Sequence, residues 1–206
     1  MAPSDDKGNW ALQVVPVDDS GLDFYFKEYK PFRLNALKQD PGAFGSTYER
    51  EIAFNDDHWR KRLYNPLAKT FVVVGLYDGR VLSAATLWGP MPESKLISSP
   101  SPAAATTSDV VDGTREPLSF QITAVWTCPE ARGRGLGRTV VKAAIAQAGQ
   151  DARQRGSSYS LGVDVYAVNT AAISFYEKCG FSVSGPRPED SDTESLRPEL
   201  LMYYRH

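Results

Sequence analysis

The spacing of apolar residues along the chain changes in a regular order, and the changes mark out its elements. Leu12 to Val17 (LQVVPV) reads as a short first strand, and Pro16 points to a sheet edge, since proline cannot donate to a ladder. From Gly21 to Lys38, Leu22, Phe26, Tyr29, Phe32, Arg33 and Leu37 recur at helical spacing. Pro31 lies inside that run and predicts a break or kink. Asp40-Pro41-Gly42 ends it. Ser46-x-x-Glu49 is a capping-box pattern opening a second helix to about Tyr64, with Tyr48, Ile52, Trp59 and Leu63 on its apolar face.

Beyond that point the period drops to two. Thr70 to Leu87 is a hairpin: TFVVVGLY, the turn Asp78-Gly79, then RVLSAATLW, closed by Gly89-Pro90. Leu118 to Thr127 is the next strand. Leu136, Val140, Val141, Ala144, Ile145 and Ala148 then form one helical stripe that ends near Arg155-Gly156. Tyr159 to Val168 alternates as a strand. Asn169 or Thr170 caps a short helix, AAISFYEKC, which Gly180 terminates. Phe181 to Ser184 and Glu199 to Arg205 complete the strands. The order β-α-α-β-β-β-α-β-α-β-β predicts an α/β (α+β) fold, with one mixed sheet and helices on both faces.

Composition narrows this picture. A chain of 206 residues fits one domain, here residues 11–206 after a loose lead at 1–10. An insert at about 91–117, containing ESKLISSPSPAAATTSDVVDGTREP, is too rich in Ser, Pro, Ala and Thr to order itself and is expected to be mobile. A net charge of −2 makes nucleic acid or an anionic membrane an unexpected general partner. The polar start MAPSDDKGNW lacks the core of a secretion signal, and no apolar run nears the roughly 18 residues of a membrane span. Two cysteines, Cys128 and Cys179, suit a reducing compartment. A cytoplasmic protein is expected.

The chemistry concentrates in Gln121 to Arg138, QITAVWTCPEARGRGLGR. Gly133, Gly135 and Gly137 alternate with other residues, and Arg132, Arg134 and Arg138 flank them. Glycines let a backbone approach a ligand, and the first amides of the following helix favour an anion. The turn is a candidate phosphate cradle. A dinucleotide fingerprint needs G-x-G-x-x-G, but from Gly133 the third glycine position holds Arg138. A nucleotide P-loop needs Gly-Lys followed by Ser or Thr, which is absent.

Arg132-x-x-Gly135-x-Gly137 instead resembles the acetyl-CoA pyrophosphate signature of the GNAT superfamily of N-acyltransferases. A second run, Asn169-x-x-Ala172-x-x-Phe175-Tyr176-x-x-x-Gly180-Phe181, is similar to that family's later signature, and Arg33 to Glu49 looks like many of its members. Each motif also has a plainer reading. The first would be a tight turn with surface arginines. The second would be a capped helix with Ala172, Ile173 and Tyr176 buried.

The resemblance implies an N-acetyltransferase that moves an acetyl group from acetyl-CoA directly to a primary amine in a ternary complex, without a metal. Amides of Gly133, Arg134, Gly135, Leu136, Gly137 and Arg138 would hold the pyrophosphate, with Arg132, Arg134 and Arg138 adding charge. Backbone groups of Trp126, Thr127 and Cys128 would bind the pantetheine arm, one freed amide there would polarise the thioester oxygen, and Asn169 would bind the arm or the turn. Tyr176 would be the general acid, since a phenol stays protonated while a thiolate develops. Gln121 to Thr127 holds no carboxylate, so the candidate bases are Glu116, Asp164, or a water chain ending on either of them or on backbone carbonyls. Cys128 has no histidine nearby in sequence to support a covalent route.

The resemblance also implies that the two N-terminal helices and the loop between the last two strands line the acceptor side. That loop carries Glu189, Asp190, Asp192 and Glu194 along with Arg187 and Arg197, either an acidic rim for a cationic amine or a solvated loop. Asp56-Asp57-His58 lacks a second histidine at ligand spacing and reads as a solvated helix face. The expected acceptor is a small-molecule amine, and the expected assembly is a monomer or homodimer. A protein-acetylating enzyme and a non-catalytic acyl-CoA-binding module are the alternatives.

Overall fold

The structure, a computed structural model, describes residues 9–92, 117–186 and 198–205. Most of the Ser/Pro/Ala/Thr-rich insert, Glu116 and the acidic loop that includes Glu189 lie outside these residues. Seven strands make one mixed sheet in the order β1-β2-β3-β4-β5-β7-β6. They are β1 Trp10–Val14, β2 Ala68–Gly75, β3 Val81–Pro92, β4 Leu118–Thr127, β5 Tyr159–Tyr166, β6 Phe181–Pro186 and β7 Glu199–Tyr204. The mixed α/β architecture is the one the periodicity predicts. Among the described residues, no helix is long and apolar enough to cross a membrane.

The chain packs as two compact units, Met1–Leu87 with Ile122–Ala144, and Trp88–Gln121 with Ile145–His206. In the first, β1 runs antiparallel to β2 from Trp10↔Gly75 to Val14↔Phe71. The strand therefore begins inside the segment expected to be loose, and it stops before Pro16, whose missing N–H cannot serve a ladder. β1 ends the strand order, as Pro16 suggested. The β2–β3 turn closes with the Gly75 N–H on the Arg80 carbonyl at 3.0 Å and Gly79 at φ 67°. Phe71, Val72, Val73 and Val74 are all buried, as an internal strand covered on both faces requires.

The first predicted helix is continuous but changes its winding. α1 (Asp19–Phe24) starts on the Asp18 side chain, which accepts from the Gly21 N–H. Tyr25–Tyr29 is a π-helical turn, and α2 follows over Lys30–Gln39. The Lys30 N–H reaches back five residues to the Tyr25 carbonyl. Pro31 supplies no N–H and its ring crowds the preceding turn, and the wider winding accommodates both.

The second predicted helix is in fact two, α3 (Tyr48–Ile52) and α4 (Asp56–Leu63). The first cap is Thr47, accepting from the Arg50 N–H at 3.2 Å, and not Ser46. Asn55 restarts the helix by accepting from the His58 N–H at 2.9 Å. The restart shifts the helical phase. Trp59 and Leu63 are buried as expected, but Ile52 is 48% exposed and its neighbour Glu51 is fully buried.

Glu51 takes two bonds from Arg33, at 3.2 and 2.8 Å, and two from Arg62, at 2.7 and 3.3 Å. Burial pushes its carboxyl up, but the two guanidiniums outweigh that and bring it down to about 2. Asp56 accepts from Lys30, Asp57 accepts from Arg60, and His58 stacks on Phe54. Each of the three has its own partner.

In the second unit β4 and β5 pair in parallel from Leu118↔Tyr159 to Gln121↔Gly162, where the ladder ends. β7 pairs antiparallel with β5 and with β6, the latter through a register shift between Val183 and Gly185. β3 does not close at Gly89-Pro90 but continues to Pro92. β5 stops at Tyr166, short of Val168, because the Asn169 N–H turns back onto the Tyr166 carbonyl at 2.8 Å. α5 (Leu136–Arg155) buries Leu136, Val140, Val141 and Ala144 in the first unit and Ala148 and Ala152 in the second. Ile145 is only half-buried.

Candidate active site

The first group of candidate residues belongs to the junction between β4 and α5, within the first unit. Ala124 in β4 has φ 53°, a conformation that costs an L-residue roughly 1–2 kcal/mol. It interrupts the strand's alternation two residues before the buried Trp126. Pro129–Ala131 then makes a single 3₁₀ turn. Gly133 and Gly135 follow in left-handed conformations, at φ 77° and 82°.

The Gly135 carbonyl accepts from the Thr139 N–H at 3.0 Å and from Thr139 Oγ1 at 3.2 Å. Gly135 is thus the N-cap of α5, and it has no side chain with which to cap. The amides of Leu136, Gly137 and Arg138 have no partner within the helix. A Cβ built on Gly133 or Gly135 would meet nothing within 4 Å, so the turn faces open space. Arg134 and Arg138 are exposed on it. Such a turn can hold a phosphate oxyanion.

Arg132 is placed differently. Its Nη2 donates to Asp40 Oδ2 at 2.5 Å and its Nε to the Thr127 carbonyl at 3.1 Å. The Trp126 carbonyl accepts from Ser83 Oγ at 3.1 Å, and the Cys128 N–H donates to the Leu82 carbonyl at 2.9 Å. Three of the backbone groups that the resemblance assigns to a pantetheine arm are therefore already bonded within the chain. The Cys128 thiol is buried against the Val81 carbonyl. Burial, with a smaller contribution from Glu130, pushes it up to about 11, which keeps it protonated and a poor nucleophile at neutral pH.

The second group belongs to the junction between β5 and α6 (Thr170–Glu177), within the second unit. Asn169 Oδ1 accepts from the Ala172 N–H at 3.0 Å, a side-chain cap of the kind its residue type predicts. Tyr176 is buried between the rings of Phe175 and Phe181, with centroids 5.2 and 5.7 Å away. Burial, with a smaller contribution from Cys179, pushes its phenol well above the ordinary range. Gly180, at φ 98°, ends the segment. Asp164 is half-buried on β5, and Gln121 Nε2 donates to its Oδ2 at 2.6 Å.

Two features were not evident in the sequence. Ala124 carries no residue-type signal for a left-handed conformation. Asp40 reads only as a helix terminator, yet it binds Trp126 and Arg132.

The central strand of this mixed sheet thus runs into a glycine-turned helix start that has no side-chain cap of its own. The model of the Acetyltransferase (GNAT) family matches residues 34–181, and the chain belongs to that family. The fold recurs in a GCN5-related N-acetyltransferase from Kribbella flavida, at 22% identity over 95% of this chain and 98% of that one, with a TM-score of 0.57. It recurs in a spermidine N-acetyltransferase mutant from Vibrio cholerae, at 16% identity over 95% and 92%, with a TM-score of 0.55. The ribosomal-protein-S18-alanine N-acetyltransferase from Escherichia coli shares 14% identity over 94% and 93%, with a TM-score of 0.51. A search of the curated proteins finds no match.

Proposed function

We propose that the protein is an acetyl-CoA-dependent N-acetyltransferase that acetylates a primary amine of a small molecule by direct transfer. The observation that carries this reading is the pair of left-handed glycines, Gly133 and Gly135, opening onto empty space beside the uncapped start of α5. Acetyl-CoA supplies an acyl thioester and a pyrophosphate. The amides from Gly133 to Arg138 bind the pyrophosphate, with Arg134 and Arg138 adding positive charge. Asp164, its carboxylate held by Gln121, takes the amine proton, and Glu116 is the other carboxylate suited to that task.

Tyr176 keeps its proton on Oη until negative charge develops on the leaving sulfur. Burial raises the phenol above its ordinary range and so favours that protonation state. Full transfer from a phenol to a thiolate is uphill by about 2 kcal/mol even at ordinary pKa values. Tyr176 therefore acts as a hydrogen-bond donor to the developing thiolate as well as an acid.

Saturating acetyl-CoA should raise the melting temperature by roughly 5–10 °C. Unchanged melting at millimolar acetyl-CoA would overturn the reading. Thiol release should then appear with a polyamine, an amino acid or an amino sugar. Release with peptides alone would move the acceptor to a protein amine, and no release with any acceptor would leave an acyl-CoA-binding module.

A further inference from the structure

We propose that Asp40 is a positioning residue for the acyl-CoA turn, acting through Arg132 and Trp126; the inference rests on the acetyl-CoA reading above. Asp40 closes α2 with its main chain alone, its N–H bonding the Ala36 carbonyl at 3.0 Å. Its carboxylate has no part in that cap and is used elsewhere. One oxygen, Oδ2, accepts from Trp126 Nε1 at 2.6 Å and from Arg132 Nη2 at 2.5 Å. Both bonds are short, as bonds to a charged acceptor are.

Arg132 is then held on several sides. Besides Asp40 it bonds the Thr127 carbonyl through Nε, and its guanidinium lies 5.9 Å from the centroid of the Trp126 ring. Phe32, on the helix that Asp40 closes, meets that ring edge-on at 5.1 Å. The bond from Arg132 to Thr127 closes the loop around the 3₁₀ turn, where the Ala131 N–H reaches the Cys128 carbonyl and the Arg132 N–H the Pro129 carbonyl. An arginine bound in this way is not a lone cation awaiting a phosphate. It fixes the chain immediately before Gly133 and Gly135, and Asp40 fixes Arg132.

The sign of the effect separates this role from plain electrostatics. A carboxylate near an anion site opposes the anion, so removing it should tighten binding if charge alone mattered. Asp40 and Arg132 side chains are 35% and 49% exposed, so solvent screens that repulsion. Ordering of the turn is not screened, and its loss should dominate. Removing a negative charge should therefore weaken binding of an anion.

The experiment measures acetyl-CoA Kd by calorimetry and steady-state kinetics for Asp40→Asn, Asp40→Ala, Arg132→Gln and the Asp40→Ala/Arg132→Gln double variant. Expected are Kd values raised about fivefold for Asp40→Asn and about tenfold for Asp40→Ala, with kcat at saturating acetyl-CoA falling less than threefold. The double variant should bind no more weakly than the weaker single one, because both changes break one clamp. Equal or tighter binding in the Asp40 variants, or losses that add in the double variant, would overturn the role. Asp40→Asn keeps the side chain's shape and carries the test should Asp40→Ala fail to fold. Wild-type protein that does not bind acetyl-CoA strikes the acetyl-CoA reading and this inference together, whereas wild-type binding matched by the Asp40 variants strikes Asp40 alone.

Discussion

The chain makes two strand-to-helix junctions of the same kind and finishes them in opposite ways. After β4, two left-handed glycines lead into α5, whose cap residue Gly135 has no side chain. After β5, Asn169 caps α6 with its own side chain, and a left-handed glycine appears only at the far end, at Gly180. Helix length is not the relevant difference, although α5 has 20 residues and α6 has 8, because dipole effects fade within the first turn. What matters is whether the chain satisfies its own amides. The first junction leaves its opening helical amides without a partner inside the helix, and the second bonds one of them to the Asn169 side chain and buries Tyr176 further along.

The comparison breaks most visibly at Tyr176. If α6 serves the reaction with a proton, Tyr176→Phe should lower kcat by about 10²- to 10⁴-fold. Acetyl-CoA Kd should change little, because the variant keeps the ring contacts with Phe175 and Phe181. Equal turnover in variant and wild type would remove the proton role. The next effect belongs to Gly135. A Cβ there meets nothing within 4 Å beyond its chain neighbours, so without ligand the main expected cost of a valine is backbone strain at φ 82°. Its branched side chain would enter the space expected for the pyrophosphate, and Gly135→Val should weaken acetyl-CoA binding about a hundredfold by calorimetry. Binding within threefold of wild type would mean that the open space above this turn is not the ligand's.

The two junctions were legible in the sequence because their chemistry is local. Gly133, Gly135, Asn169 and Gly180 each stand where a turn or cap needs that residue type, and the helix stripes beside them repeat every three or four residues. The structure added what distance in sequence conceals. Nothing in its neighbours along the chain marks Glu51 for the interior, yet it is fully buried where Arg33 and Arg62, 18 and 11 residues away, converge on it. Asp40 and Arg132 are 92 residues apart, and nothing near either announces the other. The break between α3 and α4 was hidden for another reason. Trp59 and Leu63 continue an apolar spacing that Asn55, an inconspicuous cap, had already restarted.

The smallest expected effect tests the second junction directly. Asn169 Oδ1 bonds the Ala172 N–H, so Asn169→Ala should cost about 1 kcal/mol of stability and lower the melting temperature by roughly 2–4 °C. Asn169→Ser, which keeps a capping oxygen, should recover most of that loss. Acetyl-CoA Kd should move less than threefold in both variants, since the side-chain oxygen is already used within the helix. The opposite pattern, with melting unchanged and Kd raised tenfold or more, would make Asn169 a ligand contact. The contrast would then fail on its own terms, because α6 would also be reserving its first turn for the cofactor.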